Sequence, residues 1–414
     1  MMSVYNLFIR VYAIIIFISS FFNQKARLYI NGRKHWRSLL KNTLNKSDNQ
    51  RIWFHCASLG EFEQARNLIE KIKQKISSAK IVLTFSSPSG YEIRKNYEFA
   101  DYVFYLPVDT SKNAKDFIDL IKPKLAVFVK YEFWHYYLHT LKEREVETFL
   151  ISAAFRREQA FFKWYGDFFR EMLQCFTMMF VQDDESKKLL GSIGLSGNVV
   201  IAGDTRYDRV YTIAQDKKTL PLVKDFLQNK PALIVGSSWQ DDEKIIKESF
   251  SSLPDDWKLI IAPHEISRTG EVKKLFPNAL LYSQLEQTKN IHDYQVLIIN
   301  NIGLLSSLYA YGKVAFIGGG FQKGGIHNIL EPAVFGLPVV FGPIYKKFVE
   351  AATLVNKELC FPVNNAGECK NIFLRLSTNE NYYKTLHEAL LQFMQQNIGA
   401  TDKVFGYVEY VLMK

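Results

Sequence analysis

Val314-Ala315-Phe316-Ile317-Gly318-Gly319-Gly320-Phe321-Gln322-Lys323-Gly324-Gly325-Ile326-His327-Asn328-Ile329-Leu330-Glu331-Pro332 passes from an apolar tetrapeptide through five glycines into a polar helix start. The order is strand, glycine turn, helix N-terminus. Glycine lets a backbone approach a ligand closely, and the free N–H groups of a helix start attract anions. Glu331 lies one helical turn beyond His327, so both side chains face one bound group. A carboxylate placed there accepts hydrogen bonds from both hydroxyls of a ribose. The stretch reads as a nucleotide-sugar site in which Gly319, Gly320, His327, Asn328 and Glu331 hold the donor. The competing reading is a cap, with Asn328 as N-cap and Glu331 three residues later.

Working outward, short β-branched or aromatic runs alternate with helical patterns. Strands are expected at 52–56, 81–85, 102–105, 125–129, 148–151, 178–181 and 199–201, then at 232–235, 259–262, 279–281, 296–299, 314–317 and 339–341. Between them, Phe62, Ala65, Leu68, Ile69, Ile72 and Ile76 share one helix face. This alternation predicts βαβ units and parallel sheets, in two successive sets. The expected fold is α/β: two Rossmann-like domains facing across a cleft, the GT-B glycosyltransferase architecture or the related epimerase one. The expected division is an anchor at 1–24, an acceptor domain at 25–210, a linker at 211–228, a donor domain at 229–378, and C-terminal helices at 379–414 that pack back on the first domain.

A chain of 414 residues is too long for one ordinary core. With 48% hydrophobic and 23% charged residues it is globular, and its formal charge of +10 suits an anionic surface or an acidic substrate. No helix-turn-helix, zinc-finger or RNP pattern favours nucleic acid. Cys56, Cys175, Cys360 and Cys369 are scattered, as in a reducing compartment. The segment 4–22 is mostly apolar, and Lys25, Arg27, Arg33, Lys34, Arg37 and Lys41 follow it. No small-residue cleavage site follows that run, so a cleaved signal peptide does not fit. The segment reads as a membrane anchor, either spanning with the trailing charge kept in the cytoplasm or lying in an anionic interface. The alternative is a helix docked on the protein's own core.

Several motifs fall at expected strand ends. Ser58-Leu59-Gly60-Glu61 follows the strand at 52–56 and opens a helix, whose N-terminus favours an ionised carboxylate. Glu61 is the candidate base, and Glu63 its neighbour without that placement. A first-turn glutamate that serves only the helix dipole is the other reading. Glu132, in Tyr131-Glu132-Phe133-Trp134, follows the strand at 125–129 and either orients an acceptor or pairs with a nearby cation. In the second half, Ser237 and Ser238, Pro263 and His264, and Gly303 follow three further strands and are candidate phosphate or base contacts. Arg206, in Gly203-Asp204-Thr205-Arg206-Tyr207-Asp208, is either an anion contact for the acceptor or the partner of Asp204 or Asp208. There is no Asp-x-Asp for a bridging divalent ion, no zinc spacing and no Walker lysine, so no cofactor or metal is expected. Helix N-termini and basic side chains then have to stabilise the leaving group, which suits a monophosphate.

These motifs together resemble the 3-deoxy-D-manno-octulosonic acid (Kdo) transferases of lipopolysaccharide synthesis, over nearly the whole chain. The resemblance rests on Trp53-Phe54-His55-Cys56-Ala57-Ser58-Leu59-Gly60-Glu61, on Glu132-Phe133-Trp134, on the stretch from Gly203 to Asp208, and on Gly318-Gly319-Gly320 with His327-Asn328-x-x-Glu331-Pro332. It implies a GT-B, inverting, metal-independent enzyme with Glu61 as base and with His327, Asn328 and Glu331 on the CMP of CMP-Kdo. It also implies an acidic phosphorylated glycolipid acceptor, approached by Ser58, Gly60, Glu132 and Arg206, and a place on the cytoplasmic face of a bacterial inner membrane. The chain departs from the family pattern in three places: Pro263-His264-Glu265 stands for Pro-Arg-His, Trp134-His135 for Trp-Pro, and Ser152 to Arg156 only loosely echoes Asn-Ala-Arg.

Overall fold

The computed structural model describes residues 2–48 and 50–414. The chain forms two compact units, Met1–Arg209 with Asn397–Lys414, and Val210–Gln396. The first holds β1 (Arg51–Cys56), β2 (Lys80–Phe85), β3 (Tyr102–Tyr105), β4 (Leu125–Val129), β5 (Glu147–Ala153), β6 (Met178–Val181) and β7 (Val199–Ile201). They pair in parallel in the order β3-β2-β1-β4-β5-β6-β7. The second holds β8 (Ala232–Ser238), β9 (Lys258–Pro263), β10 (Leu280–Leu281), β11 (Val296–Ile298), β12 (Val314–Ile317), β13 (Val339–Phe341) and β14 (Cys360–Pro362), in the order β10-β11-β9-β8-β12-β13-β14.

Both sheets are covered on both faces, which is why their strands read as near-continuous apolar runs. In β1, Trp53 enters one core with Phe117, Phe128 and Tyr137, while Ile52, Phe54 and Cys56 enter the other with Phe62 and Leu68. The second of these cores also takes Val404, Val408 and Leu412 from the C-terminal helix Ala400–Met413. The helix before it, Glu380–Asn397, stays with the second unit up to Gln396. Asp208 ties the first unit together by accepting from the Thr401 N–H at 2.8 Å and the Thr401 hydroxyl at 3.0 Å. The stretch 211–228, expected as a linker, carries the end of helix Thr205–Gln215 and helix Pro221–Leu227.

Each sheet has a point at which strand order reverses. In the first it lies between β1 and β4, in the second between β8 and β12. Ligands of open α/β sheets bind beyond the strand carboxyl ends at such points. Two expectations shift. The strand expected at 232–235 runs on to Ser238 through a register irregularity between Gly236 and Ser238. The edge strand Cys360–Pro362 was not expected: three residues ending in proline carry no periodicity, and pairing with β13 defines it.

Candidate active site

Ser58 caps helix Leu59–Lys75 directly after β1. Its hydroxyl accepts from the Gly60 N–H at 3.2 Å and donates to Glu61 Oε2, and the Ser58 N–H donates to the same oxygen at 3.0 Å. This is a complete capping box, so the half-buried Glu61 has one oxygen fixed by the loop. Among the described residues the other oxygen has no hydrogen-bond partner. Glu63 behaves differently. It meets Arg94 at 2.7 Å and Arg209 at 3.4 Å, a structural tie that removes it from chemistry.

The end of β4 brings a second carboxylate to the same point. Glu132 Oε2 sits 2.9 Å from Nε2 of the fully buried His55, whose Nδ1 is 2.9 Å from the Thr84 hydroxyl. The indole of Trp134 donates to Glu132 Oε2 at 2.8 Å, and the Ser86 hydroxyl lies 3.3 Å from His55 Nε2. Thr84 also accepts from the Trp53 indole at 2.8 Å. These contacts set Thr84, His55 and Glu132 in a row, with the Thr84 hydroxyl also donating to the Phe54 carbonyl at 3.2 Å and Glu132 the member that opens toward solvent. His55 carries no role in the sequence reading. The signal was its alternation with Trp53, which puts both on one sheet face, but its partner lies on a strand set beside β1 only by the fold. Lys130 and Ser152, near the ends of β4 and β5, hold left-handed backbone at φ 60° and 55°. Such strain in non-glycine residues gathers at functional sites. The Ser152 hydroxyl lies 2.9 Å from that of Thr205, next to Arg206. Arg206 itself is bound to Asp204 through Nε at 2.9 Å and Nη2 at 2.6 Å.

In the second unit the ends of β8, β9 and β12 converge. The Trp239 and His264 rings stack at 4.7 Å, and His264 and His327 at 4.4 Å. The Trp239 indole donates to His327 Nε2 at 3.3 Å. Burial, then the neighbouring His264, lowers the His327 pKa to about 4, so its ring is neutral at pH 7. Asp242 Oδ2 accepts from the Trp239 N–H at 2.9 Å and the Gly319 N–H at 2.8 Å, fixing both loops on one carboxylate. Burial raises its pKa to about 6, and its buried Oδ1 has no hydrogen-bond partner among the described residues.

Four expected features of this unit take a different form. Ser237 has φ 53°, which turns Ser238 inward, and the fully buried Ser238 hydroxyl donates to Glu243 at 2.9 Å. Arg268 clamps the same Glu243 through Nη1 at 2.9 Å and Nη2 at 2.8 Å, so a guanidinium stands four residues after His264 although none stands in the Pro263-His264-Glu265 motif. The glycines serve the chain's own backbone. A Cβ on Gly318 would meet the Ser237 carbonyl oxygen at 2.3 Å, and Gly319, at φ +90°, would meet that of Gly325 at 2.5 Å. The helix expected from His327 is only Leu330–Ala333, because Pro332 and the glycines leave no room for a longer one. Asn328 accepts from the Leu330 N–H at 3.1 Å and donates to Glu331 at 3.1 Å, so the two side chains are held as a pair by the turn itself. Gly303, at φ +82°, lies on an exposed turn after β11, the strand beside β9. Pro263 ends β9 and directs His264 into the stack.

Residues 33–209 match the family model of 3-deoxy-D-manno-octulosonic-acid transferase (kdotransferase). Over 391 residues the chain is 26% identical to the bifunctional glycosyltransferase/methyltransferase of Fusobacterium nucleatum, covering 91% of this chain but only 59% of that protein. It is 27% identical over 361 residues to the 3-deoxy-D-manno-octulosonic acid transferase of Chlamydia trachomatis, covering 84% of this chain and 82% of that one. Among solved structures, the calicheamicin glycosyltransferase superposes with a TM-score of 0.57 at 11% identity, over 88% of this chain and 98% of the other. That likeness shows a GT-B fold and nothing about the substrate.

Proposed function

Because the chain belongs to the Kdo transferase family, we propose that it moves Kdo from CMP-Kdo to the 6′-hydroxyl of a lipid A precursor, a tetraacylated disaccharide phosphate (lipid IVA), in lipopolysaccharide synthesis. Glu61 takes the proton of the acceptor hydroxyl as its oxygen attacks the anomeric carbon. The bond from that carbon to the phosphate oxygen breaks, CMP departs with the electron pair, and the anomeric centre inverts. Glu132, Ser58, Gly60 and Arg206 orient the acceptor. His327, Asn328 and Glu331 grip CMP. Pro263 and His264 flank the base with Gly303 near it, and the backbone about Ser237, Ser238, Gly319 and Gly320 faces the phosphate. Fixed dipoles meet the developing charge with no metal ion. The working place is the cytoplasmic face of the inner membrane.

One observation carries this reading: Glu61 and Glu132 follow β1 and β4, Ser237–Ser238 and the Gly318–Glu331 stretch end or follow β8 and β12, and these are the reversal points of the two sheets. The test is mass spectrometry of lipid made by the purified chain from CMP-Kdo and the tetraacylated acceptor. Addition of Kdo mass is expected. Consumption of a UDP-sugar in place of CMP-Kdo points to another GT-B transferase or an epimerase. CMP binding with no product points to a tethered binding protein.

A further inference from the structure

Helix Met2–Ser19 touches its own protein along one stripe. Tyr5, Asn6, Ala13 and Ile16 are half-buried and Ile9 is buried, while Leu7, Phe8, Ile14, Ile15, Phe17 and Ile18 are exposed. The inward positions recur every three or four residues, so a single side faces the protein over most of the helix. At its start the Tyr5 hydroxyl donates to Asp109, and the Tyr136 hydroxyl donates to Asn6 Oδ1 at 2.6 Å. The Tyr5 ring also packs on those of His135 and Phe168, each at 5.6 Å. Beyond its end, Arg27 Nε donates to the Ser20 carbonyl at 3.3 Å. Asp109 is itself core: only 2% exposed, it also accepts from the Tyr136 and Tyr137 N–H groups at 3.1 Å each, at the start of helix His135–Glu143.

A spanning helix needs its whole circumference in hydrocarbon for about 30 Å, roughly 20 residues. The 18 residues of this one are long and apolar enough to cross, but the start of its inward stripe, at Tyr5 and Asn6, is bonded to polar groups of the folded unit. Sinking it to mid-bilayer would carry Asp109, Asn6 and Arg27 into lipid. Its surroundings suit a shallower place. Residues 2–47 contain eight Lys or Arg and no Asp or Glu. Trp164, 90% exposed, and the exposed Tyr165 stand just before helix Asp167–Leu173, whose Phe168 packs on Tyr5. Exposed aliphatic residues, amphipathic aromatic rings and an excess of positive charge, of which Arg37 alone is paired with a carboxylate, Asp116, among the described residues, match the acyl–headgroup boundary of an anionic bilayer.

We propose that helix Met2–Ser19 lies in the plane of an anionic membrane surface without crossing it, docked along one side on the first unit and buried in lipid along the other. This goes beyond the transferase reading and does not rest on it. The test places one epitope tag ahead of residue 1 and another after Lys414, in sealed inner-membrane vesicles treated with protease. Both tags should be removed from the same face. A leading tag protected until detergent is added overturns the proposal, and so does its loss by cleavage in the cell. Flotation of the purified full chain gives the second arm. Association with vesicles containing phosphatidylglycerol should exceed that with pure phosphatidylcholine at least tenfold. Ile14→Glu with Ile18→Glu should lower it at least tenfold at unchanged Tm. Equal binding to both compositions, or undiminished binding of the double variant, overturns the proposal. Normal transfer in detergent micelles by a chain that fails these tests leaves the reaction intact. A chain that passes them and transfers nothing overturns the reaction alone.

Discussion

The two sheets are both parallel and seven-stranded, but they differ in strand order and end in opposite chemistry. At the carboxyl edge of the first, carboxylates are held by hydroxyl, imidazole and indole groups: Glu61 by Ser58, Glu132 by His55 and Trp134. At that edge of the second, glycine backbones close on one another and three rings stack, while the acids Asp242 and Glu243 are drawn inward as struts. In the proposed reaction one edge holds and releases a proton and the other grips a flat, anionic ligand. A fold that tolerates both endings says nothing by itself about the reaction; the residues at the reversal points do.

The sharpest way to break that contrast is Glu61→Gln. Glutamine keeps the capping box, since it accepts from the Ser58 N–H as glutamate does, but it cannot take a proton. Turnover should fall about 10²–10⁴-fold, the usual worth of a general base, with Tm nearly unchanged. Glu63→Gln should show the reverse pattern: near-normal turnover and a lower Tm, because Arg94 and Arg209 lose a charged partner, Arg209 keeping Glu70 at 3.8 Å. Retained turnover in Glu61→Gln removes the proton-handling role from the first sheet.

On the gripping side, Glu331→Gln should weaken CMP binding about 10–100-fold by calorimetry, the range for one charge-assisted hydrogen bond. The acceptor KM should stay within about twofold. A change confined to the acceptor would exchange the assignments of the two sheets.

A smaller effect separates positioning from packing. His55→Gln keeps one polar contact and His55→Leu keeps none, which leaves Glu132 and Thr84 facing an apolar side chain. Trp134 still donates to Glu132 and Trp53 to Thr84, so the leucine variant should lose about 1–3 kcal/mol of stability by denaturant melts, the worth of the two hydrogen bonds removed. The glutamine variant should retain more of both stability and turnover. Equal loss in the two would mean that His55 only fills space.

How much of this was legible before the structure depends on distance along the chain. The strand expected at 314–317 and the helix opened by Ser58-Leu59-Gly60-Glu61 are local patterns, and they stand where expected. The His55–Glu132 contact joins residues 77 apart and exists because β4, not β2 alone, lies beside β1. No periodicity announces that. The glycine run was legible as a demand for close approach, but not as to what approaches: the neighbours are Ser237 and Gly325 of the same chain. The helix expected from His327 is cut to Leu330–Ala333 for a local reason: the proline at 332 has no N–H to donate and its ring crowds the preceding turn. Arg268 went unremarked because its partner Glu243 sits on a different helix, reached only through the β8–β9 pairing.

The subtlest difference is in pH response, where the two units again invite comparison. Each pairs a histidine lowered to about 4 with an aspartate raised to about 6, all four chiefly by burial: His135 and Asp109 in the first, His327 and Asp242 in the second. A histidine with a depressed folded pKa contributes stability that is full above about 6.5 and lost as pH falls toward 4. An aspartate with a raised folded pKa does the opposite: its contribution is full below about 3.8 and lost as pH rises toward 6. Between pH 4 and 6 the two slopes oppose each other within each unit. Asp242→Asn should therefore make stability climb with pH across that window, and His327→Gln should make it fall, relative to the parent chain. Thermal melts at half-unit steps read both signs. Slopes that move the same way in both variants would mean that one of these groups is solvated, and that the second sheet's edge is wetter than a ring-stacking grip requires.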